Sequence, residues 1–169
     1  TAVRDGLLEG ANLEDDWFFN AETGDKFSVR VEGGNPAMRM YVRLYNTAGT
    51  TLASVNGAAG APVLIDNYVF AVPGSYYVRI LSPDGGPAYA FRAILSRAGI
   101  DNEVEANNRT TEANRPLAAS DQLGRFSFAV AGALDNGDLA DFLNLGSLDA
   151  GVGIAATVTT PADGLLAPA

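Results

Sequence analysis

Apolar and polar positions alternate through much of the chain. Met40, Val42 and Leu44 fall on one side of an extended segment, with Arg39, Tyr41, Arg43 and Tyr45 on the other. Tyr76, Val78 and Ile80 oppose Tyr77 and Arg79 in the same way. A period of two marks strands with one buried and one wet face. The runs WFFNA (17–21), KFSVRVEG (26–33), RMYVRLYN (39–46), LIDNYVFAV (64–72), SYYVRIL (75–81) and YAFRAIL (89–95) are rich in aromatic and β-branched residues. Turn signals separate them: TGD at 23–25, GGNP at 33–36, TAG at 47–49, PG at 73–74 and PDGGP at 83–87. Short strands at this spacing predict a sandwich or barrel. The stretch NRTTEANRPLAA (108–119) is the one helix candidate, and Pro116 limits it to a turn or loop.

After Leu95 the chain turns polar, and β patterning resumes in GRFSFAVAG (124–132), DFLNL (141–145) and GVGIAATVTT (151–160). The resumption reads as a second copy of the first pattern. Asp16-Trp17-Phe18 corresponds to Asp141-Phe142-Leu143 and Gly24 to Gly151, with two extra residues in the later copy. The expected organisation is all-β: a nearly complete sandwich over 1–98 without its lead-in, a polar lead-in or linker over 99–123, and the first half of a second sandwich over 124–169. A half sandwich exposes an edge and a core face, a place for strand addition. Either the chain is part of a longer tandem protein, or a neighbouring chain supplies the missing strands.

Composition narrows the function. The 169 residues carry a net charge of −9, and Lys26 is the single lysine among scattered arginines. A nucleic-acid binder would show a basic stripe, and anionic membrane surfaces are disfavoured for the same reason. No apolar run reaches the ~18 residues of a membrane span, and no signal peptide stands at the start. Cysteine and histidine are absent, which removes disulfides, thiol chemistry, the usual zinc ligand and any Ser-His or Cys-His relay. An acid-rich, histidine-free chain that binds a metal favours oxygen ligation, calcium above all. Adjacent carboxylates such as Asp15 and Asp16 face opposite ways in a strand, and no facing pair for glycoside hydrolysis is singled out. The expectation is a non-enzyme.

The segment EVEANN (103–108) brings that chemistry to a place. In an extended chain Glu103, Glu105 and Asn107 form one row of oxygen atoms, with Asn108 beside it. Such a row is half of a hard-cation site, or a solvated acidic connector of the kind common in a chain of this charge. Two further readings concern aromatic residues. Trp17 with Phe18 and Phe19 offers a ligand-stacking surface, against which stands the expectation that alternate residues of that strand plug the core. Tyr41, Arg43, Tyr45, Tyr77 and Arg79 share a wet face, a patch suited to a protein or glycan if the two strands are neighbours. The alternative there is ordinary cross-strand pairing.

The stretches DDWFFNAETGDKFSVRVEG, YVRLYNTAGTTLAS and FAVPGSYYVRIL resemble the bacterial pre-peptidase C-terminal domain family. Its pattern appears here as Asp16-Trp17-Phe18, Leu44-Tyr45 with Gly49, and Gly74-Ser75-Tyr76-Tyr77-Val78. Glu103 to Asn108 and Asp138-Leu139-Ala140-Asp141-Phe142 supply the lead-in and loop of the later copy. The resemblance implies a jelly-roll-like β-sandwich in secreted or cell-surface bacterial proteins, acting as an accessory that binds, spaces or supports secretion. Related collagen-binding domains of bacterial collagenases hold calcium between the lead-in and the D-x-x-D loop. On that likeness the calcium ligands are Glu103, Glu105, Asn107, Asn108, Asp138 and Asp141. In the first copy Leu13 stands where Asp138 does in the second, so no full site is expected there, and Asp16 is read as a cap or turn. Three roles remain: calcium-clamped packing of tandem domains, adhesion to a matrix protein or polysaccharide through the Tyr/Arg face, and assembly into a filament or layer by strand exchange.

Overall fold

The computed structural model describes residues 2–8, 13–104, 107, 109–116, 119–120, 126–132 and 140–159. Eight strands make the body: β1 (Ala2–Leu8), β2 (Glu14–Ala21), β3 (Lys26–Gly33), β4 (Tyr41–Asn46), β5 (Thr51–Asn56), β6 (Val63–Val69), β7 (Gly74–Leu81) and β8 (Gly86–Ser96). They form two four-stranded sheets, ordered β1-β8-β3-β6 and β2-β7-β4-β5, with every neighbouring pair antiparallel. The pairing has a simple logic. The first strand pairs with the eighth, the second with the seventh, the third with the sixth and the fourth with the fifth. The chain is therefore one long hairpin with its tip at β4–β5, rolled up so that β8 meets β3 and β7 meets β4. This is a jelly roll; the patterning predicted a sandwich or barrel, and the resemblance implied a jelly-roll-like sandwich.

Burial follows the alternation. Val29 and Val31 on β3, Met40 just before β4, Val42 and Leu44 on it, Val78 and Ile80 on β7, and Phe91 on β8 fill the space between the sheets. An aromatic cluster closes one region of that core: Phe19 stacks on Phe27 at 4.5 Å, and Phe70 lies 4.4 Å from Tyr76. Trp17 packs against Phe91 at 4.7 Å, whereas Phe18 points outward. Each such aromatic removes on the order of 150–250 Å² from water, so this cluster dominates the core energetics.

Two strands, β1 and β5, were absent from the patterned runs. Both are sheet edges. β5 buries little of its length, which removes the apolar period from its sequence. β1 carries Gly6 where alternation would place a side chain. A Cβ there would collide with the ring of Tyr89, so the glycine makes room for that ring. The Tyr89 hydroxyl donates to Asp15 Oδ2 at 2.8 Å and accepts from Trp17 Nε1 at 3.0 Å. Burial, reinforced by Asp15, raises the Tyr89 phenol well above its ordinary pKa.

Beyond the roll the described residues form four short strands. β9 (Asp101–Asn102) pairs in parallel with β12 (Val130–Ala131), and β10 (Ala119–Ser120) pairs with β11 (Phe126–Ser127). Strands were expected at 141–145 and 151–160; the described residues of 140–159 instead make one isolated bridge, Leu143 with Asn114. The physical reason is coverage. Phe126, Ile154 and Val158 are 72%, 63% and 94% exposed, so among the described residues no second sheet lies over these apolar side chains.

Candidate functional site

The polar segment after Ser96 is anchored to the sandwich. Its anchor begins in β6, where the register slips opposite Ser28 and places Asp66 and Asn67 in a bulge. Asn67 there adopts φ 44°, a left-handed conformation that asparagine tolerates better than most residues. The bulge re-aims its side chain along the sheet end. Asn67 Oδ1 accepts from the backbone N–H of Asn102 at 2.9 Å, and Asn67 Nδ2 donates to the Asn102 carbonyl at 3.2 Å. One carboxamide thus serves residue 102 as a neighbouring strand would.

The Asn102 side chain enters the sandwich and is 4% exposed. Its amide nitrogen lies 3.2 Å from the Lys26 carbonyl, 3.2 Å from Ser28 Oγ and 3.3 Å from the Ile94 carbonyl. Its oxygen accepts from Ser96 Oγ. Both ends of the carboxamide are satisfied, as a buried amide requires. Charged contacts flank it. Lys26 Nζ pairs with Asp101. Arg92 Nη2 lies 2.6 Å from Glu103 Oε1, with side chains only 8% and 2% exposed. On the far side, the N–H groups of Asp101 and Glu103 donate to the carbonyls of Ala129 and Ala131, both at 2.9 Å. Gly132 closes over Glu103, and a Cβ at that position would collide with the carboxylate. Asp66 lies beside Asn67, its Oδ1 accepting from Ser28 Oγ and Asn67 Nδ2. Burial raises its carboxyl above the ordinary range.

Next along the chain comes the predicted cation segment. Asn107 is fully buried. Its carbonyl accepts from the Phe142 N–H at 3.1 Å, so the lead-in and the 141–144 segment are one hydrogen bond apart. Asn114 cements the contact. Its side chain donates to the Val104 carbonyl at 2.7 Å and accepts from the Val104 N–H at 2.6 Å. Its backbone donates to the Phe142 carbonyl at 3.0 Å and accepts from the Asn144 N–H at 2.7 Å. Of the six predicted ligands, Glu103, Asn107 and Asp141 are described; Glu105, Asn108 and Asp138 lie outside the described residues. Glu103 is engaged with Arg92. Among the described residues no group of three acidic side chains converges in the manner of a metal site.

The Tyr/Arg set does lie on neighbouring strands of one sheet face. Tyr45 is paired with Tyr77 and Arg43 with Arg79 across β4 and β7, and Tyr41 stands opposite Leu81 on the same face. Tyr45 and Tyr77 stack at 4.9 Å and 14°, and Phe18 extends the row at 5.1 Å from Tyr77. The Arg79 guanidinium lies 5.7 and 5.8 Å from the two tyrosine ring centres. It also makes a two-pronged contact with Asp16, both bonds 2.7 Å, and reaches Glu14 at 2.9 Å. Rings that stack on one another cover their faces and present edges outward. The geometry is that of cross-strand pairing reinforced by a cation–π contact.

That contact corrects the reading of Asp16. It lies within β2 and holds Arg79, rather than capping or turning the strand. Asp15 faces the other way, to Tyr89. Asn67 and Asn102 were not singled out from sequence. An asparagine within an otherwise β-branched and aromatic run is a weak signal of a bulge, but nothing in the sequence says that it meets a residue 35 positions on.

No protein-family model matches the chain, and no curated protein matches it. Seven chains of solved structures do. One is a crystal structure of the pre-peptidase C-terminal domain of a collagenase from Bacillus anthracis, with 20% identity, 55% of this chain and 88% of that chain covered, and a TM-score of 0.41.

Proposed function

We propose that the chain is a non-catalytic structural or accessory module of a secreted or cell-surface bacterial protein, whose work is to hold the β segment after residue 98 at a fixed angle to the jelly roll. The carrying observation is the anchored lead-in. Residues 101–103 bond to the sandwich on one side and to residues 129–131 on the other. A flexible linker needs none of these contacts. The non-catalytic reading is supported by a sequence without histidine or cysteine and by its single lysine being paired with Asp101.

Calcium is the second part of the proposal. Glu103, Glu105, Asn107, Asn108, Asp138 and Asp141 offer only hard oxygen donors, the chemistry calcium takes at about 2.3–2.6 Å. The Asn107–Phe142 bond supports the pairing of the lead-in with the 138–141 loop. An ion there would add stability by mass action, about 2.7 kcal/mol at a hundredfold excess over Kd. The test is a thermal melt with calcium and with chelator, on this chain and on Glu105→Ala/Asp141→Ala. A calcium-dependent rise in Tm that the double variant loses supports the clamp; no rise rejects it and leaves Glu103 as the partner of Arg92.

A second reading is assembly by strand exchange with a neighbouring chain. The exposed Phe126, Ile154 and Val158 favour it. Light scattering after size exclusion decides: a monomer at every concentration rejects it. Adhesion to a matrix protein or polysaccharide has less support, since the ring row already packs against itself.

A further inference from the structure

The contacts of residues 101–103 divide into three separate subsites on the sandwich. Lys26 takes the acid at the first position. A pocket of the Lys26 and Ile94 carbonyls and the Ser28 and Ser96 hydroxyls takes the carboxamide at the second. Arg92 takes the acid at the third. Asn67 reads the backbone of the middle residue from the side, as a strand would. Each subsite discriminates by chemistry. Three acceptors face the Asn102 nitrogen, so a carboxylate at that position would meet oxygen against oxygen. A shorter or apolar side chain would leave buried polar groups without partners. Lys26 and Arg92 select acids on either flank of the carboxamide.

We propose that this end of the jelly roll is a recognition site for an extended Asp-Asn-Glu tripeptide, filled in this chain by its own residues 101–103. It is a socket rather than a stretch of core, because the occupant arrives after the last strand of a roll that already pairs all eight of its strands. A socket of this kind can be vacated, and it then accepts the same sequence from outside. The proposal involves no cation. Run with chelator, its test can fail while the calcium reading stands, and the reverse holds for the melt above.

The experiment uses the full chain in two 15N-labelled forms, wild type and Asn102→Asp. The probe is an unlabelled peptide of residues 99–107, GIDNEVEAN, at millimolar concentration. The peptide is expected to shift the amides of Ser28, Asn67 and Ser96 in Asn102→Asp and to bind the wild type at least tenfold more weakly, since its socket is filled. A peptide with aspartate at the second position of the tripeptide should bind neither. Equal binding to both proteins, or to neither, overturns the proposal. Hydrogen exchange supplies a second readout. Asn67→Ala should speed exchange at residues 101–103 tenfold or more and leave β3 and β8 unchanged. If β3 and β8 loosen together with 101–103, the segment is an ordinary part of the core and the socket is refuted.

Discussion

Removing the Glu103 carboxylate is the perturbation whose size the structure fixes best. Glu103 and Arg92 are 2.6 Å apart with side chains 2% and 8% exposed, and Gly132 lies over the carboxylate. An exposed pair of this kind would be worth well under about 1 kcal/mol. A buried one behaves differently when it is broken from one side, because the remaining guanidinium stays out of water after losing the Glu103 charge. The expected cost of Glu103→Ala is therefore about 3–5 kcal/mol. In a domain of this size that corresponds to a fall in Tm of order 10 °C or more. In urea, with a slope of about 1–3 kcal/mol/M, the midpoint falls by at least about 1 M. The double variant Arg92→Met/Glu103→Leu removes both charges and should recover most of the loss, since a buried pair replaced by apolar groups of similar volume is near neutral. The assay is urea unfolding with chelator present. A loss below about 1 kcal/mol, or a double variant no better than the single, refutes the buried-pair reasoning. A loss that appears only when calcium is added would assign the carboxylate to the cation rather than to Arg92.

Three further outcomes follow from named contacts. Gly6→Ala drives a methyl into the Tyr89 ring and should cost about 1–3 kcal/mol by thermal unfolding; an unchanged Tm would mean that the edge strand β1 does not hold its place in solution. Tyr77→Ala removes the middle ring of the Phe18–Tyr77–Tyr45 row and should cost about 1–3 kcal/mol, the worth of two aromatic pairs; intact stability there would free the row for a ligand. Asp84 is held at about 2 by hydrogen bonds from the Arg39 side chain and backbone. Its pKa is depressed, so its contribution is present above the ordinary carboxylate range near 4 and disappears as pH falls through about 2. A carboxyl NMR titration should show that midpoint in the wild type and a return toward 4 in Arg39→Gln; a midpoint near 4 in the wild type would show that the pair does not persist.

The body of the fold was legible because burial wrote a period of two into β3, β4 and β7. Where burial is slight the writing fades. β5 is an edge, and β1 is an edge that gives up a side chain at Gly6 to the Tyr89 ring. The outer face of β4 and β7 was legible as a set of residues, but its meaning depended on register. Register put Asp16 beside Arg79 and Tyr45 beside Tyr77, and so turned a candidate ligand patch into a self-paired one. EVEANN was legible as chemistry, four hard donors to which Asp138 and Asp141 would add two more, and the structure bonds Asn107 to Phe142, next to Asp141. The strongest feature of the lead-in was not legible. Asn102 is one asparagine among several in a polar stretch, and the bulge that recognises it is made by two residues in the middle of β6.

The central claim is that the segment after the jelly roll is fixed to it. Backbone 15N relaxation tests that most directly, by comparing residues 101–103 with β3 and β8 in the same sample. The account predicts order parameters near 0.85 for all three, with one shared tumbling time. Values below about 0.6 at 101–103 against a rigid β3 would make the segment a tether and contradict it.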